Sequence, residues 1–221
     1  MRPYFSGKKN VENEKTAWAG TRGGFTFIEL LVVIAVIGII SAVAIFNHRG
    51  MQDRLEISND AQMVVLSVRE VRVMALSVRE TLEGSFEDRF RRGHGLYFST
   101  DEDDRSAFVY FIDLDDENRY TDPLPTSDCS SEECVRSIFL QGGNTIYQIC
   151  KLSDTGADEN CGDFASVEIF FRRPSTDATI TFSPDLGSDQ YRGAVIKLRS
   201  LQGRELDVVI EDTGMASVRE I

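Results

Sequence analysis

The sequence predicts an α+β protein in which a long N-terminal helix, first transmembrane and then amphipathic, packs on an antiparallel β-sheet. Three observations lead to this prediction. A run of mostly apolar residues at 25–46, with Glu29 as its one charged residue, is long enough to cross the ~30 Å hydrocarbon core as a helix. The next segment, 47–83, has no proline and repeats apolar residues near a 3.6-residue period. Beyond Gly95, short runs of aromatic and β-branched residues alternate with polar turns, which indicates strands.

The apolar run is preceded by a polar leader at 1–24 that carries five basic and two acidic side chains. This positive charge favours a cytoplasmic leader and an exported C-terminal part. In a secretory signal the cleavage site follows the apolar region. Here the small pair Gly23-Gly24 precedes it, so cleavage would leave the anchor on the mature chain. The alternative is an uncleaved signal-anchor helix.

Residues 22–46 begin Arg-Gly-Gly-Phe-Thr-Phe-Ile-Glu-Leu and resemble the class III signal of type IV prepilins and pseudopilins. The resemblance implies a pilin-like fold, cleavage after Gly24 by a prepilin peptidase and N-methylation of Phe25. It also implies that Glu29 pairs with the Phe25 amine of a neighbouring subunit during assembly. The alternative for Glu29 is a carboxylate that snorkels to the membrane surface. The implied partners are other subunits, the peptidase, an assembly platform with its ATPase, and the membrane.

The segment 47–83 is expected to continue the helix beyond the membrane, with Gly84 as its stop. The exported domain is then 84–221, and Gln202-Gly203 and Thr213-Gly214 are its clearest turns. Its closing segment, from Ile180 to Met215, loosely resembles the H-type minor pseudopilins of type II secretion. The predicted strands are 96–98, 107–114, 135–140, 145–152, 165–171, 178–182, 194–201, 205–211 and 216–221.

The charge balance bears on partners and location. The whole chain has a formal net charge of −12. Because the leader contributes +3, the part after Gly24 has −15. This balance suits a soluble exported domain and argues against general nucleic-acid binding, which needs a basic surface. We expect a single-pass membrane protein with a cytoplasmic N-terminus, which becomes a cell-surface or periplasmic filament after assembly.

All four cysteines lie in the part expected to be exported, where disulfides are stable. We favour the sequential pairing Cys129–Cys134 and Cys150–Cys161 among the three that four cysteines allow. A zinc site is the rival, although these spacings do not resemble a zinc knuckle. Free thiols are expected if the cell exterior is reducing.

Motifs of catalysis are missing from the sequence: it has neither a phosphate-binding loop nor a nucleophile elbow. We therefore expect no enzymatic activity and no cofactor. His94 is expected to be an exposed loop residue. Asp113, Asp115 and Glu117 follow a predicted strand at alternating positions, so they are weak candidates for calcium. We favour a solvated turn there.

These features together predict a structural subunit of a type IV pilus-like or type II secretion filament. The alternative is a minor pilin that binds DNA or a surface at the filament tip. That role would need a local basic surface, formed around Arg89, Arg91 and Arg92 or around Arg172 and Arg173. A third possibility, an exported enzyme on a membrane tether, is disfavoured by the missing motifs.

Overall fold

The computed structural model describes a helix and ten strands, arranged as an α+β fold with antiparallel sheets. The helix, α1, runs Phe27–Leu76. The chain divides into two compact units, 1–45 and 46–221. The described residues are 24–77 (backbone only at 46–50), 92–115, 117, 119–120, 129, 131–153, 159–184 and 191–220.

In the first unit, the part of α1 from Phe27 to Ile45 is long and apolar enough to cross a membrane, with a mean hydropathy of 2.9. None of this stretch is buried within the protein. A helix that is apolar on every side is stable in lipid but not in water. This stretch therefore has the character of a membrane anchor.

The second unit contains two five-stranded sheets where the sequence predicted one. Sheet A has the order β3-β2-β1-β6-β7, and sheet B has the order β10-β9-β8-β4-β5. Every neighbouring pair is antiparallel. The strands are β1 (His94–Ser99), β2 (Ala107–Ile112), β3 (Cys134–Phe139), β4 (Thr145–Ser153), β5 (Glu159–Asn160), β6 (Ser166–Phe171), β7 (Thr179–Ser183), β8 (Tyr191–Arg199), β9 (Glu205–Glu211) and β10 (Ala216–Glu220).

One large apolar cluster joins the helix to both sheets. The part of α1 from Ile57 to Ala75 contributes a stripe of small and β-branched residues, and each sheet contributes one face of alternating large residues. The second unit thus folds around an amphipathic helix, as the 3.6-residue period predicted. Fully buried members include Val64 and Val68 of α1, Leu96 and Phe98 of β1, and Ile196 and Leu198 of β8.

Two buried aspartates of α1 hold the turns at one end of the sheets. Asp60 accepts hydrogen bonds from Asn144 Nδ2 at 2.7 Å and from the backbone N–H of Gln141 at 3.0 Å. Asp53 accepts one from Ser200 Oγ at 3.0 Å and pairs with Arg204 Nε at 3.2 Å. Both carboxylates are inside the fold because these specific donors satisfy them.

The C-terminal end of α1 comes at Leu76, before the predicted stop at Glu83-Gly84, and Ser77 lies in a bend. Arg173 explains this end, because its guanidinium donates to the carbonyls of Ala75 (3.2 Å) and Ser77. The last carbonyls of a helix have no partner within the helix, so a cation here satisfies them. The predicted helical residues 78–83 lie outside the described residues.

Candidate processing and assembly site

The start of α1 has the geometry of a helix N-cap. Gly24, Phe25 and Thr26 are not helical, and the helix begins at Phe27. The backbone N–H of Glu29 donates to Thr26 Oγ1 at 3.3 Å. Thr26 therefore satisfies a donor that the first helical turn leaves free, and the spacing Thr-x-x-Glu is that of a capping box. The bond between Gly24 and Phe25 thus lies just upstream of the helix.

Gly24 is not required by the fold. A Cβ added there would meet no atom within 4 Å, and its backbone does not have a positive φ angle. Phe25 is 84% exposed. Neither residue is explained by packing within the described part of the chain. Their identities are instead consistent with recognition by an external partner.

Glu29 is the one ionisable side chain between Phe25 and Phe46. It is exposed and makes no ion pair with any residue that the structure describes. Glu29 is the third residue of the apolar stretch Phe27–Ile45, and a carboxylate that enters the hydrocarbon region without a partner is costly. Cleavage after Gly24 would create a cationic amine at Phe25, and a helix N-terminus favours an acid over a cation. The arrangement therefore supplies an anion that can accept an amine from outside the chain.

Two disulfides each attach a neighbouring segment to a strand, and their pairing is the one that we favoured from the sequence. Cys129 is bonded to Cys134 at the start of β3, and Cys150 of β4 is bonded to Cys161. Neither thiol pair is therefore available to bind zinc. Cys150 and Cys161 also lie near Glu159, but their sulfurs are committed to the disulfide.

The acidic turn after β2 brings together a different set of carboxylates from the set that the sequence predicted. β2 ends at Ile112, so the alternation that would place Glu117 beside Asp113 and Asp115 does not continue. The backbone N–H of Glu117 instead donates to Asp115 Oδ1 at 3.1 Å. Glu133 takes its place: carboxylate oxygens of Asp113, Asp115 and Glu133 lie within 4.8 Å of one another. Sequence spacing alone could not find Glu133, which comes from the far end of the connection to β3.

His94 is not the exposed loop residue that the sequence suggested. It opens β1, is half-buried, and its Nδ1 lies 2.8 Å from the Tyr110 hydroxyl. Burial, aided by the positive charge of Arg173, lowers the pKa of His94 to about 4. The ring is therefore neutral at pH 7 and belongs to the packing of sheet A.

Three basic side chains in the described part of the chain are engaged by other groups. Arg173 is engaged with the end of α1. On the solvent side of sheet B, Lys197 contacts Glu159 at 3.1 Å and Asp207 at 3.4 Å. Arg219 also contacts both acids. Arg89 and Arg91 lie outside the described residues.

Glu168 is a buried acid that sequence reasoning missed. It lies on the face of sheet A that turns away from α1, opposite Tyr97 on the neighbouring strand. Its Oε2 is buried and has no hydrogen-bond partner. Burial raises the pKa of Glu168 to about 7, although Arg119 and the backbone of Tyr120 favour its charged form. The sequence feature that could have identified this buried acid is its place in the otherwise apolar run Val167-Glu168-Ile169-Phe170 of a predicted strand.

Comparison with known families supports the assignment of the N-terminus. Residues 21–45 match the family model of the prokaryotic N-terminal methylation motif. No curated protein matches the chain. No solved structure matches it either. The chain therefore carries a pilin-type N-terminal signal, and its apolar helix fits a membrane-anchored protein.

Proposed function

We propose that this chain is a structural subunit, a pilin or pseudopilin, of a type IV pilus-like or type II secretion filament. A prepilin peptidase cuts after Gly24 and methylates Phe25. The subunit then waits in the membrane until the assembly platform and its ATPase extract it. The exported domain faces outward and the apolar helices bundle with those of other subunits.

The observation that carries this proposal is the combination at the start of α1. The methylation motif spans 21–45, and the helix immediately after Gly24-Phe25 is apolar and unburied. The fold gives no reason for Gly24 and no partner for Glu29. Recognition by a peptidase accounts for the glycine at position 24. Pairing with the amine of a neighbouring subunit accounts for the acid at position 29. A plain membrane tether explains neither.

The alternative is a minor subunit that binds DNA or a surface at the filament tip, and it needs free cations around Arg89, Arg91 and Arg92 or around Arg172 and Arg173. Arg89 and Arg91 lie outside the described residues. The solvent face of sheet B does not supply such cations at Lys197 and Arg219, because Glu159 and Asp207 pair with both.

Glu29→Val tests the proposed function. The substitution removes the acid, so insertion into the membrane should be unchanged or improved. Incorporation into filaments should fall strongly, because an amine buried without its counter-charge costs ~3–5 kcal/mol. Ser41→Val is the matched control, since it makes the same helix more apolar without removing a charge. The measurement is the ratio of filament-bound to membrane-bound subunit in cells that hold the cognate assembly machinery. Wild-type incorporation of the Glu29 variant would rule out the pairing role.

A further inference from the structure

The turn between β8 and β9 presents an apolar side chain to solvent. Leu201 in this turn is 80% exposed, the highest value among the large apolar residues that the structure describes in the second unit. The backbone N–H of Gly203 donates to the carbonyl of Ser200 at 3.0 Å, and that of Ser200 donates to the carbonyl of Arg204 at 2.9 Å. These bonds fix the turn without the side chain of Leu201, and turns favour polar residues. Folding therefore does not explain an apolar side chain there.

Leu201 lies at the same end of the second unit as the first residues of α1 in that unit. The neighbouring Ser200 donates from Oγ to the buried Asp53 of α1 at 3.0 Å. Around Asp53 the helix carries Met51 and Leu55, which are four residues apart and therefore share a face. They are 62% and 55% exposed. We call Met51, Leu55 and Leu201 together the apolar end.

The charged groups near the apolar end balance one another. Arg54 and Arg204 line a pocket of about 350 Å³ together with Glu205 and Glu220. Two cations and two anions leave this pocket without net charge. Long charged side chains of this kind can keep their heads in water while their stems cover apolar surface. The end thus combines exposed apolar side chains with a mixed, neutral set of polar groups.

The length of the chain limits how far the apolar end can be from a membrane. The apolar stretch ends at Ile45, and Met51 follows six residues later. Six residues span at most ~21 Å even when fully extended. The turn at 212–215 is at the other end of β9, where a Cβ on Gly214 would lie 3.1 Å from Arg72 Cδ. Arg72 follows Met51 by 21 residues in the sequence, so no comparably short connection ties that turn to the membrane stretch.

We propose that the apolar end contacts the lipid surface of the bilayer that anchors the chain, with Leu201 as its main contact. The inference extends the proposed function, because it needs a subunit that waits in the membrane, and it assigns a lipid contact to residues outside the apolar helix. Exposed apolar residues rimmed by polar ones mark membrane contacts as well as protein contacts. Lipid is the occupant that the short connection keeps within reach. Because the charges at this end balance, the contact should not require anionic lipid.

Fluorescence quenching by lipid tests the contact directly. All four native cysteines are in disulfides, so a cysteine introduced by Leu201→Cys is the single thiol that an environment-sensitive fluorophore can label. The labelled full-length chain would be placed in phosphatidylcholine vesicles that contain spin-labelled lipid. Its emission should shift to the blue and lose most of its intensity. Met215→Cys, in the turn at the other end of β9 and 63% exposed, is the matched control and should keep its intensity. Anionic lipid should change neither result.

Two further variants separate the possible outcomes. A label introduced by Ile39→Cys, within the apolar stretch, reports whether the chain is anchored. If that label is not quenched, the proposed function and this inference both fail. If it is quenched while the label at Leu201 is quenched no more than that at Met215, this inference alone fails. A blue-shifted label at Leu201 that lipid does not quench would show a protein contact and would also overturn the inference. Finally, Leu201→Asp should lower the quenching of a label at Leu55, whereas Met215→Asp should not, and equal quenching in the two would contradict the role of Leu201.

Discussion

Replacing Glu168 by glutamine is expected to remove a pH-dependent loss of stability. Glu168 lies on the face of sheet A away from α1, where Tyr97, Phe111 and Tyr120 pack together. Its Oε2 is buried without a hydrogen-bond partner. Burial is the main cause that raises the pKa of Glu168 to about 7 in the folded chain, from an ordinary value of 4.5.

The direction of the pH effect on stability follows from the linkage between proton binding and folding. A group whose pKa is raised by folding favours the folded state most below its unfolded pKa, and that stability is lost as the pH rises through the folded pKa. The loss should therefore occur between about pH 4.5 and pH 7 and be complete above it. The full shift corresponds to ~3 kcal/mol. Because water reaches part of the group and screens its charge, we expect ~2 kcal/mol.

The assay is chemical denaturation of the detergent-solubilised full chain across this pH range. Wild type should lose ~2 kcal/mol of unfolding free energy, and Glu168→Gln should lose much less, because its amide stays neutral. Glu102→Gln, at an exposed turn, is the control and should follow wild type. A Glu168→Gln profile with the same pH slope as wild type would refute the reasoning.

Three further predictions concern the second unit, 46–221. Asp60→Ala should lower the unfolding free energy by ~2–5 kcal/mol, because Asn144 and Gln141 lose a buried acceptor; the exposed Ser58→Ala should change it little, and an equally mild Asp60→Ala would contradict the predicted role. Non-reducing peptide mapping should find Cys129–Cys134 and Cys150–Cys161, each worth ~2–3 kcal/mol, and crossed pairs would disprove this. Millimolar calcium should barely change the melting temperature, because the three carboxylates at the acidic turn bring together one oxygen each, whereas calcium prefers 6–8 oxygen ligands. A clear rise, abolished by Asp115→Ala, would instead identify a metal site.

The strands were predictable because each is a short local pattern. All nine predicted runs overlap strands of the structure, and Gly203 and Gly214 have the positive φ angles that their turns require. The strand that was missed, β5, has two residues and therefore no pattern to detect. The division into two sheets also escaped prediction, because it depends on which distant strands pair.

The N-terminal site was the most predictable because its residues are contiguous. Gly24, Phe25 and Glu29 lie in one segment whose chemistry depends on order and spacing. The acidic turn is different, since Glu133 joins Asp113 only through the β2–β3 connection. From the sequence alone, a polar residue such as Asp60 would be assigned to the surface, because the partners that allow its burial come from other elements.

The N-terminus of the mature chain tests the central claim most directly. Intact-mass measurement, with sequencing of the first peptide, should be made on protein from cells that hold the cognate prepilin peptidase. We predict a chain that begins with N-methyl-Phe25, and an uncut chain when Gly24 is replaced by a bulky residue. A chain that is never cut, or one whose N-terminus lies beyond Phe46, would contradict the account.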